Sequence, residues 1–334
     1  MRSTKAKTQP ERFRPFRLLL QHGDTPWEFL LIAASMLLIL LMLAIGWQLW
    51  QSSSVARQQF GFKFFLPTSN ANWDPVNGNF QAWPFIYGTL ITSLTAIVLA
   101  VPISLGVAIF MAELCPPRYR LPLNWLVELL AAVPSVIYGL WGLFIFLPVV
   151  VTPVGQFLGS TLGHLPVISI LFSGSIPQGG TSRLGAAFIL TFMIVPTITA
   201  VTRDVLLAIP DSQREASMAL GSTKWESIYQ VLLPYGLSGI LGAVILGLGR
   251  ALGETMAVTM VIGNSIEGTL SLLRPGYTMA SIIANEFAEA VTPLHTQSLL
   301  EVALILFFMT LILNMIARVL VWRVAARTPQ QVRA

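Results

Sequence analysis

The sequence predicts an all-α membrane protein with six transmembrane helices. Of its 334 residues, 54% are hydrophobic and only 10% are charged, whereas a soluble globular domain carries roughly 25% charged residues. The mean hydropathy of +0.72 agrees with this assignment, and six stretches of about 20 residues or more are nearly free of charge. With one cysteine in the chain, this composition excludes a disulfide scaffold, a disordered chain and an ordinary soluble enzyme.

The predicted spans follow the stretches that are poor in Asp, Glu, Lys and Arg. They cover residues 29–50, 85–111, 126–151, 184–207, 237–262 and 299–322. The uncharged run 129–182 is too long for a single span, and glycines and prolines interrupt its later part. We therefore expect residues 152–183 to form a loop or a re-entrant piece between the third and fourth spans.

The distribution of basic residues predicts that both termini lie in the cytoplasm. With six spans and this orientation, 15 of the 20 Lys and Arg residues are cytoplasmic. Four lie on the opposite side, namely Arg57, Lys63, Arg183 and Arg274, and Arg250 lies within a span. Such an excess is the positive-inside signal of a membrane protein. The net charge of +5 therefore reports topology rather than binding to nucleic acid.

A helical hairpin is predicted in the connection between the fourth and fifth spans. Ser212 is followed three residues later by Glu215, and Thr223 is followed three residues later by Glu226. Each pair has the spacing of a capping box, in which the hydroxyl and the carboxylate bind backbone N–H groups at a helix start. Sequence alone does not separate this capping role of Glu215 from contact with a partner.

Residues 210–234 therefore predict two short helices joined by a tight turn. Gly221 between them suits a left-handed helix end, and Pro234 is expected to stop the second helix. Between residues 203 and 226 there are three basic and four acidic side chains, a balance of −1. This balance excludes a DNA-binding helix-turn-helix, because phosphate contacts need positive charge. The remaining alternative is an inert hairpin that lies on the membrane.

The fifth predicted span holds two ionisable residues near its middle. Arg250 and Glu254 are four residues apart, so on a continuous helix they share a face and pair. An arginine at the bilayer centre costs about 2.5–3.5 kcal/mol on insertion scales and faces the protein interior or a wet path. With Thr255 and Thr259, the pair predicts the lining of an anion route, because guanidinium binds tetrahedral oxyanions. The structural alternative is a buried ion pair that fixes helix register.

The hairpin resembles the EAA motif of bacterial ABC importer permeases. The matching residues are Glu215-Ala216-Ser217, Gly221 and Val231-Leu232-Leu233-Pro234, with Ser217 and Val231 as mild departures. The resemblance implies the type I importer permease architecture, in which this hairpin is the coupling helix that docks into a cytoplasmic ATPase. The residues it implies for coupling are Glu215, Ala216, Gly221, Trp225, Leu233 and Pro234.

Two further stretches, 250–264 and 134–142, are similar to those of the phosphate-transport permeases within that family. The similarity covers residues 87–321. It implies a permease subunit for inorganic phosphate in the bacterial inner membrane. The implied partners are a second permease of the PstA type, an ATPase dimer of the PstB type and an external phosphate-binding protein of the PstS type. The open alternatives are a permease for sulfate or molybdate, or a secondary anion transporter.

No catalytic, cofactor or metal site is expected in the chain itself. The sequence has no G-x-x-x-x-G-K-[ST] phosphate loop, so ATP and Mg²⁺ are expected on the partner ATPase. An intramembrane hydrolase is excluded because His22, His164 and His295 lie in three separate segments. The expected organisation is a basic cytoplasmic tail at 1–27, a first helix and external segment at 28–84, a permease core at 85–322 with the hairpin 210–234, and a tail at 323–334.

Overall fold

A computed structural model of the chain describes residues 24–66, 73–166, 168–266 and 268–327. These residues are almost entirely helical, and the only β pairing among them consists of two isolated bridges. Six helices are long and apolar enough to cross a membrane, as the sequence predicts: Phe29–Ser52, Trp83–Leu114, Ser135–Leu162, Arg183–Leu207, Lys224–Gly253 and Pro293–Arg323. They are called spans one to six below.

The described helices are named here by their bounds. The α-helices are Asp24–Ser52, Ser54–Phe60, Trp83–Ile109, Pro117–Ala132, Ser135–Trp141, Thr152–Leu162, Ser169–Phe172, Arg183–Leu207, Asp211–Ala219, Lys224–Ser227, Leu233–Gly253, Met256–Val261, Met279–Glu286 and Pro293–Arg327. A 3₁₀ turn covers Gly61–Phe64, and π-helical segments cover Phe110–Leu114, Gly142–Val151 and Ile228–Leu232. The π segments lie within spans two, three and five.

The chain divides into two compact units, residues 1–51 and 52–334. In the first unit the described part is the apolar helix that begins at Asp24, and none of its described side chains is buried. Most of the predicted tail 1–27, and residues 328–334 of the predicted tail 323–334, lie outside the described residues. The second unit contains spans two to six and all the features that follow.

The predicted bounds of span three are wrong. Residues 117–132 form a separate helix, and span three begins at Ser135 and continues to Leu162. The separation occurs because Val133 precedes Pro134 and takes an extended conformation (ψ 128°), which the proline ring imposes on the residue before it. Residues 152–162 are thus part of the span rather than a loop. Pro153 is tolerated there because it lies at the start of an α-helical segment.

The predicted bounds of span five are also wrong. Pro234 does not stop the helix, because span five starts at Lys224 and passes through the proline. The π-helical turn at Ile228–Leu232 precedes it, and this wider turn accommodates the missing N–H and the bulk of the ring. The helix ends instead at Gly253, where Glu254 has an extended backbone (ψ 126°).

Span four is the central helix of the second unit. In its most apolar stretch of 18 residues, 67% of the residues are buried, whereas the corresponding fraction is 22–33% in spans two, three, five and six. Its buried side chains pack against neighbours from spans two, three and five and from Met256–Val261, and the members include Ala96, Leu147, Ile189, Met193, Ile198, Ala243 and Val258. This packing makes span four the frame on which the polar residues of the neighbouring helices are positioned.

The end of the bundle opposite the hairpin is closed by three connecting segments. Backbone hydrogen bonds join Arg183 N to Arg274 O (3.1 Å) and Leu272 N to Leu171 O (2.8 Å). Trp73 Nε1 donates to Glu286 Oε2 (2.6 Å), and His295 Nε2 lies 2.9 Å from the same oxygen. The long connections therefore form a packed layer rather than free loops.

Cysteine labelling tests the predicted orientation of the spans. Val76 is 92% exposed in the layer opposite the hairpin, and Ser222 lies in the hairpin turn, so we expect opposite accessibility. In intact cells, a membrane-impermeant maleimide should label Val76→Cys, and it should label Ser222→Cys only after the cells are opened. The parent chain is the control, because its Cys115 is buried. The reverse pattern would contradict cytoplasmic termini.

Candidate functional site: a polar cleft and an exposed hairpin

Arg250 lies at membrane depth, as the sequence predicts, although it belongs to the last turn of span five rather than its middle. Its Nη1 donates a hydrogen bond to Thr197 Oγ1 at 3.0 Å. Thr197 is 14 residues after Arg183 and 10 before Leu207, which places it about 21 Å and 15 Å from the two ends of span four. The guanidinium is therefore held near the middle of the bundle.

The predicted ion pair between Arg250 and Glu254 is wrong. The i,i+4 geometry requires a continuous helix, but the helix ends at Gly253 and the chain turns away. Glu254 Oε1 instead accepts a hydrogen bond from the backbone N–H of Ala257 (3.3 Å). Among the described residues, the only hydrogen-bond partner of the Arg250 side chain is Thr197. The other N–H donors of the guanidinium remain available to a ligand.

Thr255 and Thr259 lie at the break beyond Arg250. The Thr255 hydroxyl donates to Gly253 O (3.1 Å), and the Thr259 hydroxyl donates to Thr255 O (2.7 Å). Gly253 O lies at the end of the interrupted helix, whereas Thr255 O also accepts the backbone N–H of Thr259 (2.9 Å). Irregular backbone at membrane depth is tolerated where protein or a water-filled cavity surrounds it, so the break marks a polar point in an apolar bundle.

A cleft of ≈ 1060 Å³ opens beside Arg250 between spans five and six. Its lining is polar at Thr197, Arg250, Asn314 and Arg318, and apolar elsewhere: Gly242, Ile245, Leu246, Gly249, Val321 and Trp322. The cleft contains none of Glu254, Thr255 and Thr259. Two guanidinium groups, an amide and a hydroxyl in one cleft can donate several hydrogen bonds to a tetrahedral oxyanion.

Sequence reasoning missed Thr197, Asn314 and Arg318 as members of this site. They belong to spans four and six, and a single polar residue in an apolar helix has many structural uses. The available signal was that Asn314 and Arg318 are four apart on one helix, hence on one face. Close approach of the helices supports the assignment, since a β-carbon added to Gly249 would lie 3.9 Å from Asn314 Oδ1.

The hairpin consists of Asp211–Ala219, the turn 220–223 and Lys224–Ser227. The predicted capping box at Thr223 and Glu226 is confirmed, with Thr223 N donating to Glu226 Oε2 at 2.7 Å. The box predicted at Ser212 is wrong, because Pro210 occupies the cap position and the helix already begins at Asp211. The Glu215 side chain is thus not needed as a cap and is exposed.

Gly221 has the left-handed conformation that the sequence predicts, with φ +92°. Around it the hairpin exposes Glu215, Ala216 and Trp225, whereas Leu233 is partly buried against the cluster formed with Ile228 and Leu232. Pro234 is exposed within span five. Five of the six predicted coupling residues are therefore exposed, four of them on the hairpin, and Leu233 and Pro234 belong to the helix Leu233–Gly253.

Sequence reasoning also missed the exposed apolar side chains of the hairpin and of the π-helical turn Ile228–Leu232 that follows it. Leu220 is 88% exposed and Tyr229 is 68% exposed. Together with Met218 and Trp225 they make an apolar surface on a polar segment. Such a surface is typical of a protein-interaction site. The signal available in the sequence was the spacing of Trp225 and Tyr229, which are four apart and therefore share one helix face.

Arg214 fixes the hairpin to the ends of spans two and four. Its guanidinium binds Glu113 at the end of span two (Nη2–Oε1 2.8 Å) and donates to the backbone carbonyls of Leu206 (2.7 Å) and Ile209 (2.6 Å). The side chains of Arg214 and Glu113 are only 16% and 9% exposed. The hydrogen bond to Glu113 raises the pKa of the Arg214 guanidinium, although burial opposes this shift. The ion pair and hydrogen bonds of Arg214 therefore attach the hairpin to spans two and four.

We expect Arg214→Gln to loosen the hairpin, because it leaves the buried Glu113 carboxylate without its partner. Breaking a buried ion pair costs about 3–5 kcal/mol, so tryptic cleavage at the exposed Lys224 should accelerate and thermal stability should fall. Arg214→Lys keeps the charge and should show a smaller effect. Unchanged cleavage and stability in Arg214→Gln would contradict the proposed attachment.

The fold and these two features define a class: a polytopic α-helical membrane protein with a polar cleft and an exposed interaction hairpin. Residues 104–328 match the family model described as "Binding-protein-dependent transport system inner membrane component". This match includes the hairpin and the cleft. The chain belongs to this family.

Curated relatives and solved structures agree with this membership. The chain is 45% identical over 296 residues to the phosphate transport system permease protein PstC of Mesorhizobium japonicum, covering 89% of each chain. It is 43% identical to the protein of the same name from Pasteurella multocida, covering 97% of each chain.

Among solved structures, a bacterial alginate ABC transporter in complex with alginate pentasaccharide-bound periplasmic protein has a TM-score of 0.57 at 15% identity (88% of this chain, 94% of that chain). The MetNI methionine ABC transporter has 0.51 at 18% (71% and 93%). These two structures support the fold.

Proposed function

We propose that the chain is the permease subunit of an ATP-driven importer for inorganic phosphate in the bacterial inner membrane. The observation that carries the substrate class is the Arg250 guanidinium, held at mid-depth on the wall of a cleft with most of its donors free. The PstC relatives, whose names specify phosphate transport, support this choice over other oxyanions.

In this proposal Arg250 and Arg318 bind phosphate oxygens in turn as the anion passes along the cleft. Thr197 orients the Arg250 guanidinium, and planar donors suit a tetrahedral oxyanion. Because Glu254 is bound to the backbone of Ala257 and forms no ion pair with Arg250, no carboxylate occupies the guanidinium donors that the substrate would use. Glu254, Thr255 and Thr259 belong to the part of the route beyond the helix break, where they keep the path polar.

We assign the hairpin to energy coupling. Glu215, Ala216, Gly221 and Trp225, with the exposed Leu220 and Tyr229, would contact an ATPase dimer of the PstB type, which carries ATP and Mg²⁺. The bonds of Arg214 to Glu113 and Leu206 offer a direct mechanical connection from this surface to spans two and four. Movement of the hairpin would thereby change the helix that holds Thr197.

Two further partners belong to this proposal. The lining of the cleft comes from spans four, five and six of this chain, and a second permease of the PstA type would complete the route. An external binding protein of the PstS type would deliver phosphate to the packed layer opposite the hairpin.

Uptake into proteoliposomes tests the proposal. The purified complex should accumulate radiolabelled phosphate when ATP is supplied to the hairpin side, and excess sulfate or molybdate should compete poorly. Strong competition by sulfate or molybdate would favour the alternative oxyanion permease. Uptake that is driven by a proton gradient without ATP would favour a secondary transporter and contradict the coupling role of the hairpin.

A further inference from the structure

Two helices of the second unit are interrupted beside each other. The first interruption is the extended backbone of Val133 and Pro134 (ψ 128° and 138°), and the second is the break that follows Gly253. The segments beyond the two breaks touch, because a β-carbon added to Gly139 would lie 3.1 Å from Ala257 Cα. Irregular backbone at membrane depth is tolerated where protein or a water-filled cavity surrounds it, so the two adjacent breaks indicate one polar region.

The side chain of Tyr138 bridges the first break. Pro134 has no N–H, so the Leu130 carbonyl lacks the donor that the fourth residue along a helix supplies. The Tyr138 hydroxyl takes this place and donates to Leu130 O at 2.8 Å. Because a carbonyl oxygen only accepts, the single proton of the hydroxyl is committed to this bond, whereas the hydroxyl oxygen can still accept. Tyr138 therefore offers an acceptor, and not a donor, to a molecule that lies beside it.

Tyr138 lies close to Arg250 and at a similar depth. A β-carbon added to Gly142 would lie 2.7 Å from Ile189 Cδ1, so these two positions are level with each other. Measured from the end opposite the hairpin, Tyr138 lies about 6 Å deeper than Gly142, and Thr197 lies about 12 Å deeper than Ile189. The Tyr138 hydroxyl is also close enough to the Arg250 guanidinium for the two groups to interact electrostatically. We therefore expect an anion on Arg250 to lie beside the Tyr138 oxygen.

An acceptor at this position distinguishes oxyanions by their protons. Near neutral pH, inorganic phosphate carries at least one P–OH group, whereas sulfate carries no proton. A P–OH group can donate to the Tyr138 oxygen, but a sulfate oxygen would face the lone pairs of that oxygen with no hydrogen between them. A site that hydrogen-bonds a substrate OH group discriminates against an analogue that lacks it, because a polar group of the site is then left without its bond.

We propose that the Tyr138 hydroxyl oxygen accepts a hydrogen bond from the P–OH group of phosphate bound to Arg250, and that it thereby selects protonated oxyanions over sulfate. Arg250 attracts any tetrahedral oxyanion, and Tyr138 adds the discrimination. The bond from Tyr138 to Leu130 is kept when the anion binds, so the selecting oxygen is held in place. This inference rests on the proposed function, because it requires phosphate at Arg250.

Monofluorophosphate isolates the contribution of the P–OH group. It has the charge and shape of hydrogenphosphate but carries fluorine in place of the OH group. The readout is the anion concentration that halves the rate at which a charged methanethiosulfonate modifies Leu246→Cys in a Cys115→Ala background. The anions are added directly to the purified membrane complex, so an external binding protein contributes no selectivity. We expect phosphate to protect at about five- to tenfold lower concentration than monofluorophosphate. Equal protection by the two anions would overturn the proposal.

Replacement of Tyr138 with phenylalanine then tests the residue itself. Tyr138→Phe keeps the ring and removes the oxygen, so the preference for phosphate over monofluorophosphate and over sulfate should fall about fivefold or more. A purely structural role would change the protection by all anions alike and leave the ratios unchanged. Tyr87→Phe is the matched control, because the Tyr87 hydroxyl also donates to a backbone carbonyl, that of Leu270; its ratios should equal those of the reference protein.

The possible failures are distinguishable. Unchanged ratios in Tyr138→Phe, while phosphate still protects the thiol, would overturn the role of Tyr138 and leave the phosphate route intact. Loss of assembly of the complex in Tyr138→Phe would show that the hydroxyl only supports the helix break, and it would also overturn the proposal. If phosphate fails to protect the thiol of the reference protein, the proposed phosphate route fails, and this inference fails with it.

Discussion

Replacement of Arg250 with glutamine is expected to lower phosphate uptake roughly 10- to 100-fold or more. The substitution keeps a side chain that can bind Thr197 but removes the charge and most of the free donors. Hydrogen bonds to a charged group are worth about 1.5–3 kcal/mol each, which corresponds to this range of rates. The measurement is ATP-dependent uptake of radiolabelled phosphate into proteoliposomes, with assembly of the complex followed in parallel.

Three controls separate a transport role of Arg250 from a structural one. Arg250→Lys keeps the charge but loses the planar fork, so uptake should fall by less than in Arg250→Gln. Thr197→Val should reduce uptake without loss of assembly, because it frees the guanidinium that Thr197 orients. Arg318→Gln, at the exposed edge of the cleft, should give a smaller reduction than Arg250→Gln. If Arg250→Gln instead prevents assembly, or leaves uptake unchanged, Arg250 is not a substrate-binding residue.

The second large effect is expected at the hairpin turn. Gly221→Val should uncouple ATP hydrolysis from transport, because Gly221 has φ +92° and a left-handed backbone costs an L-residue roughly 1–2 kcal/mol. A β-branched side chain is especially unsuited to it. Apart from the two neighbouring residues, no described residue has an atom within 4 Å of an added β-carbon, so the effect arises from the backbone rather than from a clash.

This geometry provides a matched control for the turn. Asparagine tolerates the left-handed region, so Gly221→Asn should retain most of the phosphate uptake, whereas uptake by Gly221→Val should fall about 5- to 30-fold. The readouts are uptake and the stimulation of ATPase activity by substrate in the same complex. Equal activity of the two variants would contradict a role for the turn conformation in coupling.

The six spans could be predicted because hydropathy is a local property of about 20 residues. Their bounds could not, since they depend on prolines whose effect is set by context. Pro134 separates two helices. Pro234 instead lies inside a single helix, because the π-helical turn before it makes room for the proline ring. Hydropathy also could not separate the helix 117–132 from span three, because the exposed leucines at its C-terminal end run into the apolar residues that follow Pro134.

The same contrast applies to the candidate site. Arg250 was identified because a charge in an apolar segment is costly, a rule that needs no knowledge of the fold. Its partner was wrongly predicted because the i,i+4 rule assumes an unbroken helix. Thr197 and Asn314 lie 53 and 64 positions from Arg250 in the sequence, and only packing around span four brings them together. The attachment of Arg214 to Glu113, 101 positions apart, was likewise beyond local patterns.

Thiol labelling inside the cleft is the most direct test that it carries phosphate. Leu246 lines the cleft near Arg250, and Leu246→Cys in a Cys115→Ala background places one thiol there within the assembled complex. We expect a charged, membrane-impermeant methanethiosulfonate to modify this thiol, and phosphate, but not sulfate, to slow the reaction. Failure of the charged reagent to react, or reaction at a rate that phosphate does not change, would contradict an aqueous phosphate route beside Arg250.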